Sequence, residues 1–450
     1  MKVAFYTLGC KVNQYETQAI RETFLQAGFE EVGPHDLADV YIVNTCTVTH
    51  LADRKSRQAI RRMKRLNADS IIAVTGCYAQ MNPEEIGDIS GVSLVVGTNE
   101  KSFILSEVLK ALSEPGEEAI YKRLEYNEIC DYEETGSIVS MESRTRAYVK
   151  VQEGCDRFCS YCIIPYARGI IRSRSPVSIK EEVGDLANKG FKEIILTGIN
   201  TALYGRENGF LGKNLHDFQS LGIKSSLEGI VPLMEMVEKM PGQFRLRLGS
   251  LEPNVVNSLD VIDLMAYKRL CHHLHLSLQS GSDRVLLAMN RRYSRKDYQD
   301  ILAVLKKVDT NYGVTTDIIV GFPGETEEDF QETLSLVEGQ NFCKIHIFPY
   351  SKRQGTKAAE MVDQVAPFLV KERATRLQRA AEASQNRFLK SNIGSQREVL
   401  IEDYDNITRE YIGYSDNYIR VFVKSEEDIS NQIVKPSLIQ VYKNGLLGVL

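Results

Sequence analysis

Short apolar runs alternate with amphipathic stretches over the first 112 residues. The runs are rich in β-branched residues, as buried strands are, and the stretches between them repeat apolar positions at helical spacing. The runs lie at residues 2–7, 39–43, 70–74 and 93–96. Such alternation predicts an α/β fold in which helices cover a parallel sheet. We therefore expect an N-terminal open parallel α/β sheet domain at residues 1–112.

The same alternation returns between residues 144 and 370. Six strand-like runs lie at residues 147–152, 193–196, 244–248, 273–278, 314–320 and 344–348. Helix-start signals between them pair Ser178 with Glu181, Ser294 with Asp297 and Thr326 with Asp329. Six strand–helix units predict a central partial (β/α)6 barrel, with ligands at the carboxyl ends of its strands. Residues 208–227, rich in Gly, Asn, Ser and Lys, indicate a surface insertion.

The last part of the chain changes to a β pattern. A basic stretch opens it, and short strand-like runs follow at residues 399–401, 409–414, 418–424, 433–435 and 438–442. About five short strands with polar turns predict a small C-terminal β-barrel. We expect residues 371–450 to form a basic helix and this barrel, and the acidic residues 113–143 to form a linker.

Charge and composition describe an ordinary globular chain of 450 residues, 43% hydrophobic and 26% charged. No run reaches the roughly 18 apolar residues of a membrane span, and the first residues do not look like a signal peptide. We therefore expect a cytoplasmic protein whose nine cysteines are thiols rather than disulfides.

A net charge of −5 gives no support to a nucleic-acid partner, but local charge does. One basic run without acids contains Arg54, Lys55, Arg57, Arg61, Arg62, Lys64 and Arg65. A second contains Lys371, Arg373, Arg376, Arg379, Arg387 and Lys390. Each run is compatible with a solvated helix face or with a surface that holds phosphates.

Three cysteines directly follow predicted strands of the first domain. Cys10, Cys46 and Cys77 come after its first, second and third strands. Because the carboxyl ends of parallel strands meet at one edge of a sheet, we expect the three thiols to lie together. A buried structural cysteine is the alternative for each one taken alone.

Three further cysteines lie on one short loop after the first barrel strand. Cys155, Cys159 and Cys162 have the spacing C-x₃-C-x₂-C, and Ile, Ile and Pro follow them. A [4Fe–4S] cluster held by three thiolates leaves one iron open to a non-protein ligand. The amino and carboxylate groups of S-adenosylmethionine can chelate such an iron. A zinc site or a ferredoxin-like cluster is the alternative, although zinc prefers four ligands, usually as CxxC pairs.

The cysteine loop, with Tyr161 before its last cysteine, resembles the radical S-adenosylmethionine superfamily. Cys10, Cys46 and Cys77 match the N-terminal domain of its methylthiotransferase family, and the C-terminal segment resembles the TRAM barrel of that family. Barrel motifs similar to those of the family lie at residues 196–200, 245–253, 275–281, 317–326 and 346–351. The resemblance implies two [4Fe–4S] clusters, one on each set of three cysteines. It also implies contacts to S-adenosylmethionine from Tyr161, Gly198, Ser250 and Gln279.

The motif TLGCKVNQYE at residues 7–16 resembles the branch that acts on N6-threonylcarbamoyladenosine at position 37 of tRNA. The resemblance implies that the enzyme adds a methylthio group to C2 of that base in the anticodon loop. No acid–base residue is nominated, because radical chemistry carried by the cofactors replaces deprotonation. The partners implied are tRNA, an electron donor such as flavodoxin or ferredoxin, and a sulfur source, without a membrane.

Two other functions stay open at this point. A methylthiotransferase acting on isopentenyladenosine in tRNA or on a ribosomal protein aspartate would share most of these motifs. A non-catalytic iron–sulfur protein that binds RNA as a sensor would share the cysteines alone.

Overall fold

The computed structural model describes residues 1–114, 116, 118–136, 138, 145–223, 229–254 and 258–450, apart from the side chains of residues 258–260. The chain divides into two compact units. The first contains Met1–Met141, Lys150–Arg174 and Ser351–Ala359, and the second contains Glu142–Val149, Ser175–Tyr350 and Glu360–Leu450. The domain boundaries drawn from the sequence stay a prediction.

A six-stranded sheet, parallel throughout, forms the centre of the first unit. Its strands are β1 (Lys2–Thr7), β2 (Glu30–Val32), β3 (Val40–Thr45), β4 (Ile71–Gly76), β5 (Val92–Val96) and β6 (Ile120–Lys122). They lie in the order β2-β1-β3-β4-β5-β6. The helices are α1 (Lys11–Gln26), α2 (His50–Leu66), α3 (Cys77–Met81), α4 (Pro83–Gly87), α5 (Ile104–Ser113) and α6 (Ile164–Arg168), with 3-10 turns at Lys101–Phe103 and Tyr126–Glu128.

Alternate residues of these strands fill two cores, one on each face of the sheet. Val3 and Phe5 of β1 pack with Phe24 of α1 and Val108 of α5. Ala4 packs on the other face, in a core that includes Ile60 and Met63 of α2 and Tyr78 of α3. Because alternate residues of a strand point to opposite faces, both faces of this sheet are apolar, and helices cover both, as predicted.

The second unit contains the barrel strands. They are β7 (Arg146–Lys150), β10 (Glu193–Thr197), β11 (Arg245–Leu248), β12 (Ser250–Leu251), β13 (His273–Leu276), β14 (Gly313–Val320) and β15 (Lys344–Pro349). They form two sheets, β11-β10-β7 and β12-β13-β14-β15, and an isolated bridge joins Leu246 to Leu270. The pairs β10–β11, β12–β13, β13–β14 and β14–β15 are parallel. Because β12 continues the chain of β11 after Gly249, six strand positions result. The predicted partial (β/α)6 barrel is confirmed.

Helices lie between these strands along the chain, and two more follow the last strand. They are α7 (Pro176–Asn188), α8 (Phe210–Ser220), α9 (Ile230–Glu238), α10 (Ser258–Leu264), α11 (Asp283–Ala288), α12 (Arg295–Val308), α13 (Glu327–Gly339), α14 (Lys357–Glu360) and α15 (Pro367–Ser391), with a 3-10 turn at Thr201–Leu203. A short antiparallel pair, β8 (Gln152–Glu153) with β9 (Arg172–Ser173), belongs to the first unit.

The C-terminal strands form a curled six-stranded sheet. They are β16 (Val399–Asp405), β17 (Glu410–Ser415), β18 (Arg420–Val423), β19 (Ile433–Val434), β20 (Ser437–Tyr442) and β21 (Gly445–Val449). Their order is β19-β16-β17-β18-β21-β20, and an isolated bridge between Gln396 and Ser437 connects β20 with the residues just before β16. The predicted small β structure is present as this half-barrel, with one strand more than the pattern indicated.

One local prediction was wrong. The capping box at Ser178 does not exist, because α7 already starts at Pro176 and its cap is the Ser175 hydroxyl, which accepts from the Val177 N–H. Proline suits the first helical position, where no N–H is needed. The expected insertion at residues 208–227 contains a helix, α8, held by buried Phe210 and Phe218. Residues 224–227 of that prediction lie outside the described residues.

The other two capping boxes are confirmed, at Ser294 with Asp297 and at Thr326 with Asp329. In the part of the chain that the structure describes, none of the helices combines the length and apolarity needed to cross a bilayer.

Candidate functional site

The three cysteines that follow strands lie at one edge of the first sheet. Cys10 caps α1, Cys46 directly follows β3, and Cys77 is the first residue of α3. Strands β1, β3 and β4 are neighbours, and their ends are in register, with Thr45 opposite Gly76. The structure thus brings the three thiols to the same edge, with Cys10 exposed and the other two buried.

Gly76 has a backbone conformation that only glycine adopts easily. Its φ is +95°, and a Cβ there would lie 2.7 Å from the backbone nitrogen of Thr45 and 2.5 Å from Oδ1 of Asn44. Positive φ and close backbone approach both favour glycine. The turn that aims Cys77 at the sheet edge therefore depends on the residue before it.

The C-x₃-C-x₂-C loop belongs to the same unit. It begins at Gly154, whose φ is +72° and where a Cβ would collide with the carbonyl oxygen of Ile170. Within the loop, the Cys162 N–H donates to the carbonyl of Cys159 at 2.9 Å. Cys159 is buried, while Cys155 and Cys162 are half-buried. Their three thiols therefore sit on one short, backbone-constrained loop.

Arg168 connects this loop to the first set of cysteines. It ends α6, the helix after the loop, and its side chain is completely buried. Its Nε donates to Sγ of Cys77 at 3.2 Å, and its Nη1 donates to Oε1 of Glu16 at 2.8 Å and to Oε1 of Glu153 at 2.7 Å. Its Nη2 donates to Oδ1 of Asn13 at 2.7 Å. One guanidinium thus joins the two cysteine-bearing segments.

Two buried lysines complete this network. Nζ of Lys150 lies 3.0 Å from Oε2 of Glu153 and 3.5 Å from Oε1 of Glu16, and Nζ of Lys101 lies 3.4 Å from the same Glu16 oxygen. Burial opposes ionisation of both carboxyls, but Arg168 and the lysines outweigh it. The pKa of Glu16 is lowered and that of Glu153 is lowered well below its ordinary value. Three cations therefore face two carboxylates beside Cys77.

The two buried thiols hold their protons strongly. Burial, together with the neighbouring Cys77 and Cys10, raises the pKa of Cys46 to about 12. Burial also raises the pKa of Cys77, partly offset by Arg168. Cysteine binds metals as the thiolate, so binding iron at this edge would release protons from these thiols. The positive charge of the iron would then neutralise the thiolates.

Sequence reasoning missed this charged network. Glu16, Lys101, Lys150, Glu153 and Arg168 were not among the candidate residues. One signal was present, because Lys150 lies between two valines in an apolar strand, where an ionised side chain needs a partner. The identity of that partner could not be found without the fold.

Of the four residues expected to contact S-adenosylmethionine, three lie at the carboxyl ends of parallel strands in the second unit. Gly198 follows β10, Ser250 lies in β12, and Gln279 lies shortly after β13. Gln279 has a φ of +65°, and its N–H donates to the Asp317 carbonyl at 2.8 Å. The fourth, Tyr161, lies in the cysteine loop of the first unit.

The basic run on α2 divides into free and paired side chains. Arg57 pairs with Glu85, at 2.9 Å, and donates to the Tyr78 hydroxyl. Arg61 and Arg65 are exposed, and with Arg57 they line a shallow cavity on the outside of the helix. The exposed members of the run, rather than Arg57, are therefore available to phosphates.

The second basic run is largely structural. Arg373 of α15 is buried and its Nη1 lies 2.8 Å from Oε2 of Glu325, while Arg376 pairs with Glu327 at 2.8 Å and Glu372 at 3.0 Å. The expectation that Arg373 holds phosphate was wrong, because its guanidinium is buried and already paired with Glu325.

No group of three His, Cys, Asp or Glu side chains in the described ranges is arranged to hold a single metal ion. An iron–sulfur cube has a different requirement, since each cysteine binds a different iron and the thiolates surround the cluster. The donor set suits such a cluster, because each site offers three thiols of one chemistry and neither offers the mixed or fourfold set of a structural zinc site.

Comparisons with known proteins match two stretches of the chain to families. Residues 2–97 match the family described as "Uncharacterized protein family UPF0004", and residues 149–337 match the radical SAM superfamily. Among solved structures, the radical S-adenosylmethionine methyltransferase TsrM from Kitasatospora setae is similar with a TM-score of 0.55, covering 80% of this chain and 77% of that one. At 16% identity this likeness concerns the fold alone.

Similar curated proteins cover nearly the whole chain. The threonylcarbamoyladenosine tRNA methylthiotransferase MtaB of Bacillus subtilis is 40% identical over 97% of this chain and 94% of its own length. MtaB of Aquifex aeolicus is 39% identical over 92% and 96%. A tRNA-2-methylthio-N(6)-dimethylallyladenosine synthase of Clostridium novyi is 35% identical over 88% and 84%. With such identity over most of each sequence, the chain belongs to the family of radical S-adenosylmethionine tRNA methylthiotransferases.

Proposed function

We propose that this enzyme adds a methylthio group to C2 of N6-threonylcarbamoyladenosine at position 37 of tRNA. The observation that carries the proposal is the 40% identity to MtaB of Bacillus subtilis over 97% of the chain. In the structure, the 3.2 Å bond from Arg168 to Cys77 links the edge with Cys10, Cys46 and Cys77 to the segment that follows the C-x₃-C-x₂-C loop. The names of the MtaB relatives supply the substrate.

The radical SAM family implies one [4Fe–4S] cluster and S-adenosylmethionine. We propose Cys155, Cys159 and Cys162 as ligands of that cluster, with Tyr161, Gly198, Ser250 and Gln279 as contacts of S-adenosylmethionine, by motif position. When bound, these cofactors supply the one-electron chemistry that breaks a C2–H bond too weakly acidic for a side-chain base. The protein residues hold and shield them.

A second [4Fe–4S] cluster on Cys10, Cys46 and Cys77 belongs to the same proposal. Three thiolates, two of them on the buried residues Cys46 and Cys77, would bring negative charge that the site must compensate. Arg168, Lys101 and Lys150 outnumber Glu16 and Glu153 by one positive charge, and Arg168 already donates to Cys77. The network therefore supports the ionised form of the thiol nearest to it.

The remaining partners follow from the chemistry. The tRNA substrate requires an anticodon-loop adenosine that can leave its stack. Reductive chemistry requires an electron donor, for which flavodoxin or ferredoxin is suited, and the added sulfur requires a source. A cytoplasmic location suits cysteines that must stay reduced.

The test uses the full-length protein, reconstituted anaerobically with iron and sulfide. We expect roughly eight irons per chain, and roughly four in Cys46→Ala and in Cys159→Ala, counted by iron analysis and separated by electron paramagnetic resonance. Mass spectrometry of tRNA nucleosides after reaction should find the methylthio form of threonylcarbamoyladenosine. Methylthiolation of dimethylallyladenosine alone would overturn the substrate, and absence of 5′-deoxyadenosine on reduction would indicate a non-catalytic sensor.

A further inference from the structure

A cavity of about 790 Å³ opens in the first unit next to both sets of cysteines. Its lining includes Thr47, Tyr78 and Ile163, each of which directly follows one of the six motif cysteines in the chain. The cavity is therefore next to the place where the proposed chemistry occurs. It is large enough for an amino-acid-sized substituent of a base.

Most charged side chains in the wall of this cavity form ion pairs with one another, and within the part of the molecule that the structure describes one cationic side chain stays unpaired. Nη2 of Arg353 lies 2.8 Å from Oδ2 of Asp53, and Arg57 pairs with Glu85 at 2.9 Å. Arg54 of α2 also lines the cavity, is exposed, and makes no hydrogen bond or ion pair with any described residue. The wall thus offers one guanidinium whose charge is not compensated.

Two buried polar atoms of the same wall also lack partners. Nε of Arg353 and Oδ1 of Asp53 have no hydrogen-bond partner among the described residues, although these side chains are only 9% and 8% exposed. Buried polar groups in proteins are nearly always hydrogen-bonded. The wall therefore contains a donor and an acceptor that the protein leaves unpaired, although both atoms are shielded from water in this structure.

We propose that this cavity binds the threonylcarbamoyl group of the substrate base, with its carboxylate paired to Arg54. The inference rests on the proposed function and adds the side chains that select the substrate. A threonyl group carries a carboxylate, and an anion suits the unpaired guanidinium of Arg54 in this lining. The positive end of α2, which begins at His50 in the same wall, favours an anion as well.

A dimethylallyl group has the opposite chemistry. It is a neutral hydrocarbon, and in this cavity it would displace water from Arg54 without offering that side chain any partner. Leaving buried polar groups unpaired is how a polar site rejects an apolar analogue. The charged wall therefore distinguishes between the two substrates named among the relatives.

The experiment measures binding by fluorescence anisotropy at fixed salt. The probes are anticodon stem–loop RNAs that carry threonylcarbamoyladenosine, its methyl ester, or dimethylallyladenosine at position 37. The ester has nearly the size of the acid but no negative charge. Wild-type enzyme should bind the acid about tenfold more tightly than the ester, as expected for a charge-assisted hydrogen bond. Arg54→Gln should reduce that ratio to about one.

Lys55→Gln is the matched control, because Lys55 is the next residue of α2, is exposed, and does not line the cavity. It can weaken binding of every RNA by removing a positive charge, but the ratio of acid to ester should stay at the wild-type value. An unchanged ratio in Arg54→Gln, or no preference for the acid in the wild type, would overturn the inference. Both results leave the proposed function intact as long as the wild type still methylthiolates the acid-bearing RNA.

Discussion

At Arg168 one buried guanidinium donates to a thiol, an amide and two carboxylates. Replacing Arg168 with Met leaves Glu16 and Glu153 with the more weakly acting Lys101, Lys150 and Arg172 as cationic neighbours. Removing one partner of a buried ion pair typically costs about 3–5 kcal/mol. We expect a loss of this size in the free energy of unfolding, measured by urea denaturation of the metal-free protein.

Arg168→Lys is the matched control, because lysine keeps the charge but has fewer donors and cannot reach all four groups in the same geometry. Its loss of stability should be clearly smaller than that of Arg168→Met. Equal unfolding midpoints for Arg168→Met and the wild type would show that the network contributes little, contrary to the buried geometry.

Gly76 allows a second prediction at this scale. Gly76→Ala places a Cβ 2.7 Å from the backbone nitrogen of Thr45, in addition to the strain of a φ of +95°. Gly28→Ala is the control, since Gly28 has a φ of +83° but no atom within 4 Å of the new Cβ. Positive φ alone costs about 1–2 kcal/mol, and overpacking adds about 1–3 kcal/mol. The melting temperature of Gly76→Ala, measured by thermal unfolding, should therefore be clearly lower than that of Gly28→Ala. Equal melting temperatures would contradict the crowding at Gly76.

Single functional residues could be predicted from the sequence only where the local strand pattern determines their place in the fold. Cys10, Cys46 and Cys77 were expected at the ends of neighbouring strands because the strand pattern is local, and the structure has the strands there. Arg168 could not be found in this way. Its partner Glu16 lies 152 positions earlier in the chain, and no local pattern reports a contact across that distance.

At the scale of elements, the long strands were predictable and the short edge strands were not. The runs at residues 2–7 and 344–348 agree closely with β1 and β15 because both are strongly patterned. Strands β2 and β6 have three residues each and lie at the two edges of the first sheet. So short a run has no detectable period, and its conformation depends on pairing with the neighbouring strand.

Glu193 of β10 gives a prediction about how the elements of the second unit are held together. It lies 3.1 Å from Arg146 of β7 and 2.7 and 2.9 Å from Arg245 and Arg247 of β11. Burial opposes its ionisation, but the three arginines outweigh burial and lower its pKa from 4.5 to about 2. The stabilisation is therefore fully present above pH 4.5 and is lost as the pH falls toward about 2.

Glu193→Gln should lower the free energy of unfolding at about pH 6 by on the order of 3 kcal/mol, and by much less at about pH 3. Urea unfolding at the two pH values measures the difference. Glu426→Gln, which changes an exposed carboxylate of the same unit, is the control and should alter stability little at either pH. A wild-type advantage over Glu193→Gln that grows on acidification would contradict the assignment.

At the scale of the whole molecule, the C-x₃-C-x₂-C loop belongs to a different unit from the barrel strands that the sequence grouped with it. The strand pattern assigned residues 144–370 to one domain, whereas residues Lys150–Arg174 cluster with the N-terminal sheet. The reason is the packing of α6 on α3 and the bonds of Arg168, which local periodicity does not report. The loop and the three strand-end cysteines therefore form one compact unit.

The distribution of charge over the molecule gives the last prediction. The chain has a net charge of −5, yet Arg61 and Arg65 lie exposed, one turn apart, on the basic helix α2. Reversing both to Glu should weaken binding of a tRNA anticodon stem–loop. It should also lower the slope of log Kd against log salt concentration by about 0.7–0.9 for each phosphate that the helix no longer neutralises. Lys306→Glu with Lys307→Glu makes the same change in net charge on exposed positions of α12. If this control pair reduces the slope as much as the α2 pair does, overall charge rather than α2 attracts the RNA.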